Sequence, residues 1–184
     1  ALSNYHFSID KLITDGDESS ANTLLLLQLP SIFTPEDWSF TFFEGLARYP
    51  ASEFHHRTLA ELGCGNGWIS IALAKRGAPQ QIYGLDIDPK AIICARINLY
   101  LNALDNSGQP YIDSEGKSIL ERVQFHHSDL LEYCIVNQIK LDKVIGCIPQ
   151  VLAPDSSVIP NIIPESATDE SLFALSNYCS KQGY

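Results

Sequence analysis

The segment Thr58–Ser70, TLAELGCGNGWIS, constrains this chain more than any other. An apolar run with the composition of a buried strand carries Glu61 near its end, and Gly63, Gly65 and Gly67 follow at alternate positions. Trp68–Ala74 then reads as the first turns of a helix. A strand, a tight glycine turn and a helix start cradle a nucleotide-like ligand, because glycines let the backbone adopt unusual φ/ψ and approach the ligand closely.

From Thr58 onward, short apolar strands alternate with longer helices. The pattern predicts strands over Thr58–Leu62, Gln81–Asp86, Val123–His127 and Lys143–Cys147. It predicts helices over Gly67–Arg76, Pro89–Leu104, Leu130–Asn137 and Thr168–Lys181. Such alternation implies right-handed βαβ units and an α/β fold with a doubly wound, mostly parallel sheet. Asp105–Ser118 is turn-rich, a surface excursion or small hairpin, and Asp155–Ser166 is a Pro- and Ser-rich loop. Before the glycine turn, residues 5–13 suggest a short strand or helix turn, Thr23–Leu29 a strand, and Pro35–Arg48 an aromatic-rich helix. Residues 1–50 are therefore expected to form a segment whose helix covers the ligand cradle, and 51–184 the binding core.

Composition narrows the partner. The 184 residues carry a net charge of −10, which disfavours a nucleic-acid or anionic-membrane surface and leaves a small molecule. The five cysteines are odd in number and scattered through apolar stretches, as reduced cytoplasmic thiols are. The chain contains no Met and shows four strands after the glycine turn, where a complete open sheet has about six or seven. A fragment, incomplete at its C-terminal end, is the expectation.

The GxGxG spacing differs from the GxGxxG of dinucleotide sites, and Glu61 ahead of it suits a ligand with a positive amino group better than a pyrophosphate. Asp86, at the end of the next strand, can accept two ribose hydroxyls. Asp129, after the third strand, can accept from an adenine amino group with Leu130 against the base. Acidic residues at successive strand ends favour an adenosyl group with a cationic amino-acid arm. Each alone would read as a helix cap or solvated turn.

On these residues, ELGCGNG, LDIDPKA and HSDLL, the chain resembles the class I S-adenosylmethionine-dependent methyltransferases. PSIFTPEDWSFTFFEGL, INLYLNALD, VIGCIPQVLAP and LFALSNYCSKQGY further resemble the N-terminal domain of plant-type methionine S-methyltransferases. The resemblance implies S-adenosylmethionine as cofactor, held by Glu61, Gly63, Cys64, Gly65, Gly67, Asp86, Ile87, Ser128, Asp129, Leu130 and Cys147. It also implies a C-terminal aminotransferase-like region in the full chain and a homo-oligomer.

Cys147-Ile148-Pro149-Gln150 stands where nitrogen-modifying relatives carry Asn/Asp-Pro-Pro-Tyr/Phe, and only Pro149 of that pattern is kept. A thioether nucleophile has no proton to hold, so the departure fits methylation of sulfur in L-methionine, giving S-methylmethionine without a general base. Ile148, Pro149, Trp38 and Tyr100 are the expected substrate contacts, with Phe42, Tyr133 and Trp68 as further aromatic candidates for stabilising a sulfonium. The five histidines lack metal-ligand spacing with the cysteines, so no metal is expected. The competing readings are an N-methyltransferase of a protein glutamine or small metabolite and a non-catalytic S-adenosylmethionine sensor.

Overall fold

The computed structural model describes residues 8–14, 19, 22–29, 32, 34–35, 37–105, 107–113 and 115–147. Ile148, Pro149, the loop expected over 155–166 and the helix expected over 168–181 lie outside them.

Four parallel strands form the centre: β3 (Thr58–Leu62), β4 (Gln81–Asp86), β5 (Val123–His127) and β6 (Lys143–Gly146), following an N-terminal hairpin of β1 (Ser8–Ile13) and β2 (Thr23–Gln28). The first three central strands match the apolar runs residue for residue, and β6 ends one residue early. Their spatial order is β5-β4-β3-β6, with Leu59 opposite Ile82 on one side of β3 and Lys143 on the other. The chain thus builds outward from β3 to β4 and β5, then returns to β3's other edge. That reversal is a topological switch point, where open α/β sheets place ligands outside the carboxyl ends of their strands.

Side chains alternate across a pleated strand, so each strand feeds two cores. Leu59, Ile82, Val123 and Phe125 pack with helices α2 (Trp68–Gly77) and α3 (Pro89–Asn102) on one face. Ala60 and Leu85, with Leu62 and Tyr83, pack with Cys134 of α5 (Glu132–Val136) on the other. Helices on both faces make the sheet doubly wound, as the alternation of elements predicts. Phe43 of α1 (Asp37–Ala47) is buried against the α2 core.

Two helix starts depart from expectation where the backbone turns left-handed, while α1 is shorter than expected at both ends and α3 stops two residues before Leu104. Gly67 has φ 81°, so α2 starts at Trp68. Leu130 has φ 45°, and α5 begins two residues later instead of at Leu130. Asp88 caps α3 by accepting the Lys90 amide at 2.8 Å, ahead of Pro89 in the first turn, where its missing N–H costs nothing. The excursion before β5 closes with bridges Leu104–Pro110 and Ile112–Ser118 and ends in α4 (Ile119–Arg122), a single turn with a Ser118–Glu121 capping box. That turn is absent from the sequence reading because four residues carry no periodicity.

Arg122 of α4 is wholly buried. Its guanidinium meets Asp113 Oδ2 at 2.7 Å, Glu115 Oε2 at 2.6 Å and the Pro79 carbonyl at 2.7 Å, fastening the excursion to the end of α2. Among the described residues, no helix is long and apolar enough to cross a membrane.

Candidate active site at the switch point

The glycine turn after β3 takes its shape from three left-handed residues, Gly63 (φ 63°), Gly65 (φ 54°) and Gly67 (φ 81°). Gly67 is required twice over: a Cβ there would lie 2.6 Å from the Phe125 ring and 2.9 Å from Ala95. At Gly65 a Cβ would meet nothing within 4 Å, so the turn is open on that side. Open space against a left-handed glycine is what a closely approaching ligand needs.

Hydrogen bonds tie the turn to the next strand end. Gly65 donates its amide to Asp86 Oδ2 at 2.8 Å, and the Asp88 amide donates to Oδ1 at 2.9 Å. Each carboxylate oxygen keeps a second lone pair for a ligand hydroxyl. Burial pushes the Asp86 carboxyl up from its ordinary range, while the Asp88 and Gly65 amides oppose that shift. At the third strand end, Ser128 donates its amide to the Asp86 carbonyl at 2.9 Å. Its hydroxyl donates to the Leu130 carbonyl at 2.9 Å and accepts the Tyr133 amide at 3.0 Å. Ser128 therefore shapes the loop, and its hydroxyl keeps one lone pair besides. Ile87 and Leu130 stand 58% and 52% exposed at these neighbouring strand ends, apolar surface that a flat base can cover. Asp129 is exposed on the same loop.

Glu61, the expected partner of a cationic arm, lies near the end of β3. It is 1% exposed and accepts a hydrogen bond from the Ser70 hydroxyl of α2. Burial pushes its pKa up to about 8, against the Ser70 hydroxyl and amide, which pull it down. Burial and then Glu61 push the Cys147 thiol up; Cys147 is half-buried just past the end of β6. Cys64 is buried inside the turn.

The aromatic candidates do not gather here. Tyr100 lies near the end of α3, roughly three turns from Asp88, and is exposed. Trp38 is 75% exposed. Trp68 is buried, with its ring 5.2 Å from Phe43 and 5.6 Å from Phe40, and Phe42 packs on the same core. Tyr133 stacks on His126 at 3.8 Å. Trp68, Phe42 and Tyr133 are held by apolar burial or stacking.

Sequence reasoning missed three residues that shape the turn: Ser70, Asn66 and Asn98. Asn66 sits inside it, accepting the Trp68 amide at 3.3 Å, and Asn98 of α3 donates to the Asn66 carbonyl at 2.9 Å. The INLYLNAL run carried the signal, two asparagines four apart on one helix face. It also missed a charged cluster near Arg122, where His55 and His56 reach Glu115 at 2.7 and 3.1 Å. Those donor atoms lie within 4.8 Å of one another, a set capable of holding a metal ion.

Comparison with known proteins adds a family context. The methyltransferase small domain model matches residues 45–133. The chain is 53% identical over 183 residues, 98% of its length, to methionine S-methyltransferase of Zea mays. It is 51% identical over 186 residues, covering all of it, to methionine S-methyltransferase of Arabidopsis thaliana. It spans 17% of each of those proteins. A ribosomal protein L11 methyltransferase of Caldanaerobacter subterraneus is 37% identical over 98 residues, half of this chain and 26% of that protein.

Proposed function

The chain is a homologue, along its whole length, of a segment of the plant methionine S-methyltransferases, and from that premise we propose that it binds S-adenosylmethionine and directs methyl transfer to the thioether sulfur of L-methionine. The observation that carries cofactor binding is the Gly65–Asp86 bond at the switch point, which aligns an open glycine turn with a carboxylate. The acceptor rests on the relatives' names and on the CIPQ segment.

The residues present fit the cofactor. Asp86 would accept the ribose hydroxyls through its remaining lone pairs, and Ile87 and Leu130 would flank the base. Asp129 would accept from the adenine amino group. The backbone of Gly63–Gly67 would carry the amino-acid arm, with Cys64 and Cys147 packed beside it. Glu61, an ionisable group buried against Ser70, would face the charged arm, and Ser128 would hold the loop beside the base. The resemblance assigns Ile148, Pro149, Trp38 and Tyr100 to the acceptor, the first two outside the described residues.

When bound, S-adenosylmethionine supplies an electrophilic methyl group on a sulfonium. The acceptor sulfur of methionine attacks with a lone pair and loses no proton, so the protein's work is alignment and electrostatics, and no side chain serves as general base. The products are S-methylmethionine and S-adenosylhomocysteine. The setting is cytoplasmic, within a longer, homo-oligomeric chain that carries an aminotransferase-like region.

The test is mass spectrometry on the full-length chain given trideuteromethyl-labelled cofactor and free methionine. Label in S-methylmethionine is expected. Label in a glutamine side chain, or cofactor binding with no turnover, overturns the reading. The kcat of the complex should be flat between about pH 6.5 and 8.5, since no group must lose a proton in the step.

A further inference from the structure

The outer edge of β2 meets no strand among the described residues; it meets two carboxamides, with Lys75 Nζ on the Thr23 carbonyl at 3.1 Å and Cys94 Sγ on the Leu27 carbonyl at 3.3 Å. Asn102 accepts the Leu25 amide at 2.9 Å and donates to the Leu25 carbonyl at 2.7 Å. Asn98 accepts the Leu27 amide at 2.6 Å and donates to the Leu27 carbonyl at 3.2 Å. Four residues of helix rise about 6 Å and two residues of strand span about 6.7 Å, so consecutive turns of α3 present peptide-like groups in register with β2. The asparagines differ in what else they reach, Asn98 alone also donating to Cys94 Sγ at 3.7 Å. The Asn98 amide also donates to the Asn66 carbonyl within the glycine turn, while that of Asn102 donates to the Asn98 carbonyl. Asn66 in turn donates to Gln28 Oε1, at the end of β2, at 3.3 Å.

From this geometry we propose that Asn98 is a positioning residue that couples docking of the β1–β2 hairpin to the shape of the glycine turn, and so sets cofactor affinity. The cofactor clause rests on the function proposed above; the coupling does not. Asn98 is wholly buried, so its donors have no solvent to turn to when either partner moves. Loosening the hairpin would leave the Asn66 carbonyl with a displaced donor, and a turn reshaped by ligand would pull on Leu27.

The test compares Asn98→Ala with Asn102→Ala in the full-length chain, since both remove one amide pair from β2 and only the first removes the link to the turn. Amide hydrogen exchange is read without ligand at Gly65 and Gly67, and Kd for S-adenosylhomocysteine is read by calorimetry. Asn98→Ala should speed exchange at both glycines and raise Kd by about tenfold, with Asn102→Ala within about threefold of wild type on both. Equal effects of the two variants, or unchanged glycine exchange in Asn98→Ala, overturn the coupling. Faster exchange with unchanged Kd overturns the affinity clause. A wild-type chain that fails to bind S-adenosylhomocysteine would remove the cofactor reading, and glycine exchange would still decide the coupling. Should Asn98→Ala not fold, Gln28→Ala removes a hairpin-to-turn bond while keeping both amide pairs. It should speed exchange at Gly65 and Gly67 and leave Leu25 and Leu27 unchanged; unaltered glycine exchange there overturns the proposal.

Discussion

The Gly65 amide lies 2.8 Å from Asp86 Oδ2, so one hydrogen bond joins the turn after β3 to the end of β4. The Asp88 amide occupies the other oxygen at 2.9 Å. An Asp86→Asn variant replaces one acceptor with an NH2 group that must face a backbone donor. Stability should fall by about 1–3 kcal/mol in urea denaturation, and affinity for S-adenosylhomocysteine by about tenfold or more in calorimetry.

Two glycines separate folding from binding. A Cβ at Gly84 would stand 2.3 Å from the Phe125 ring, whereas at Gly65 it would meet open space with only φ 54° to oppose it. Gly84→Ala should cost about 1–3 kcal/mol of stability or prevent folding, through overpacking. Gly65→Ala should cost about 1–2 kcal/mol for the left-handed backbone yet lose most cofactor binding. Thermal melts and binding isotherms on both variants check the contrast.

Glu61 carries a pH dependence of predictable sign. In the folded protein burial lifts its pKa to about 8, while an unfolded glutamate titrates near about 4.3. Between those values the folded state holds a proton that the unfolded state has lost, so stability falls as pH rises. Relative to Glu61→Gln, wild-type stability should decline by up to ~1.4 kcal/mol per pH unit, measured by urea denaturation from about pH 5.5 to 7.5. A cationic amino-acid arm against the turn would draw that pKa down, so S-adenosylhomocysteine binding near pH 7 should release a proton. Calorimetry in buffers of different ionisation enthalpy reads that release, and Glu61→Gln should abolish it.

Arg122 has no solvent exposure, and the side chain of its partner Asp113 is 3% exposed. Removing one member of a buried pair strands the other's charge, so Arg122→Met should destabilise by about 3–5 kcal/mol. Adding Asp113→Asn should restore part of the loss. Double-mutant denaturation curves measure the coupling.

The central elements were legible because their signals are local. Val123–His127 and Gln81–Asp86 are apolar runs flanked by turn or helix signals, and both became strands at those boundaries. The glycines at 63, 65 and 67 marked left-handed backbone, and each has positive φ. Boundaries slipped where a positive φ fell on a non-glycine residue, Leu130, which composition does not flag. The hairpin partner of β2 is half-legible: residues 5–13 suggest a strand or a helix turn, and pairing with Thr23–Gln28 makes Ser8–Ile13 a strand.

Local patterning, by itself, determined the period of each element, the glycine turn and the acidic strand ends, because these depend on φ/ψ preference and on which side chains avoid water. Tertiary structure decided which strands are neighbours. β3 lies between β4 and β6, and that reversal opens the crevice outside Gly65 and Asp86. It also buried Glu61 against Ser70 and set Tyr100 roughly three helical turns from Asp88. Asn98 and Asn102 became a substitute strand edge for β2 only when α3 was laid beside it. Such outcomes depend on burying distant residues against one another and satisfying their polar groups, a condition no local window contains.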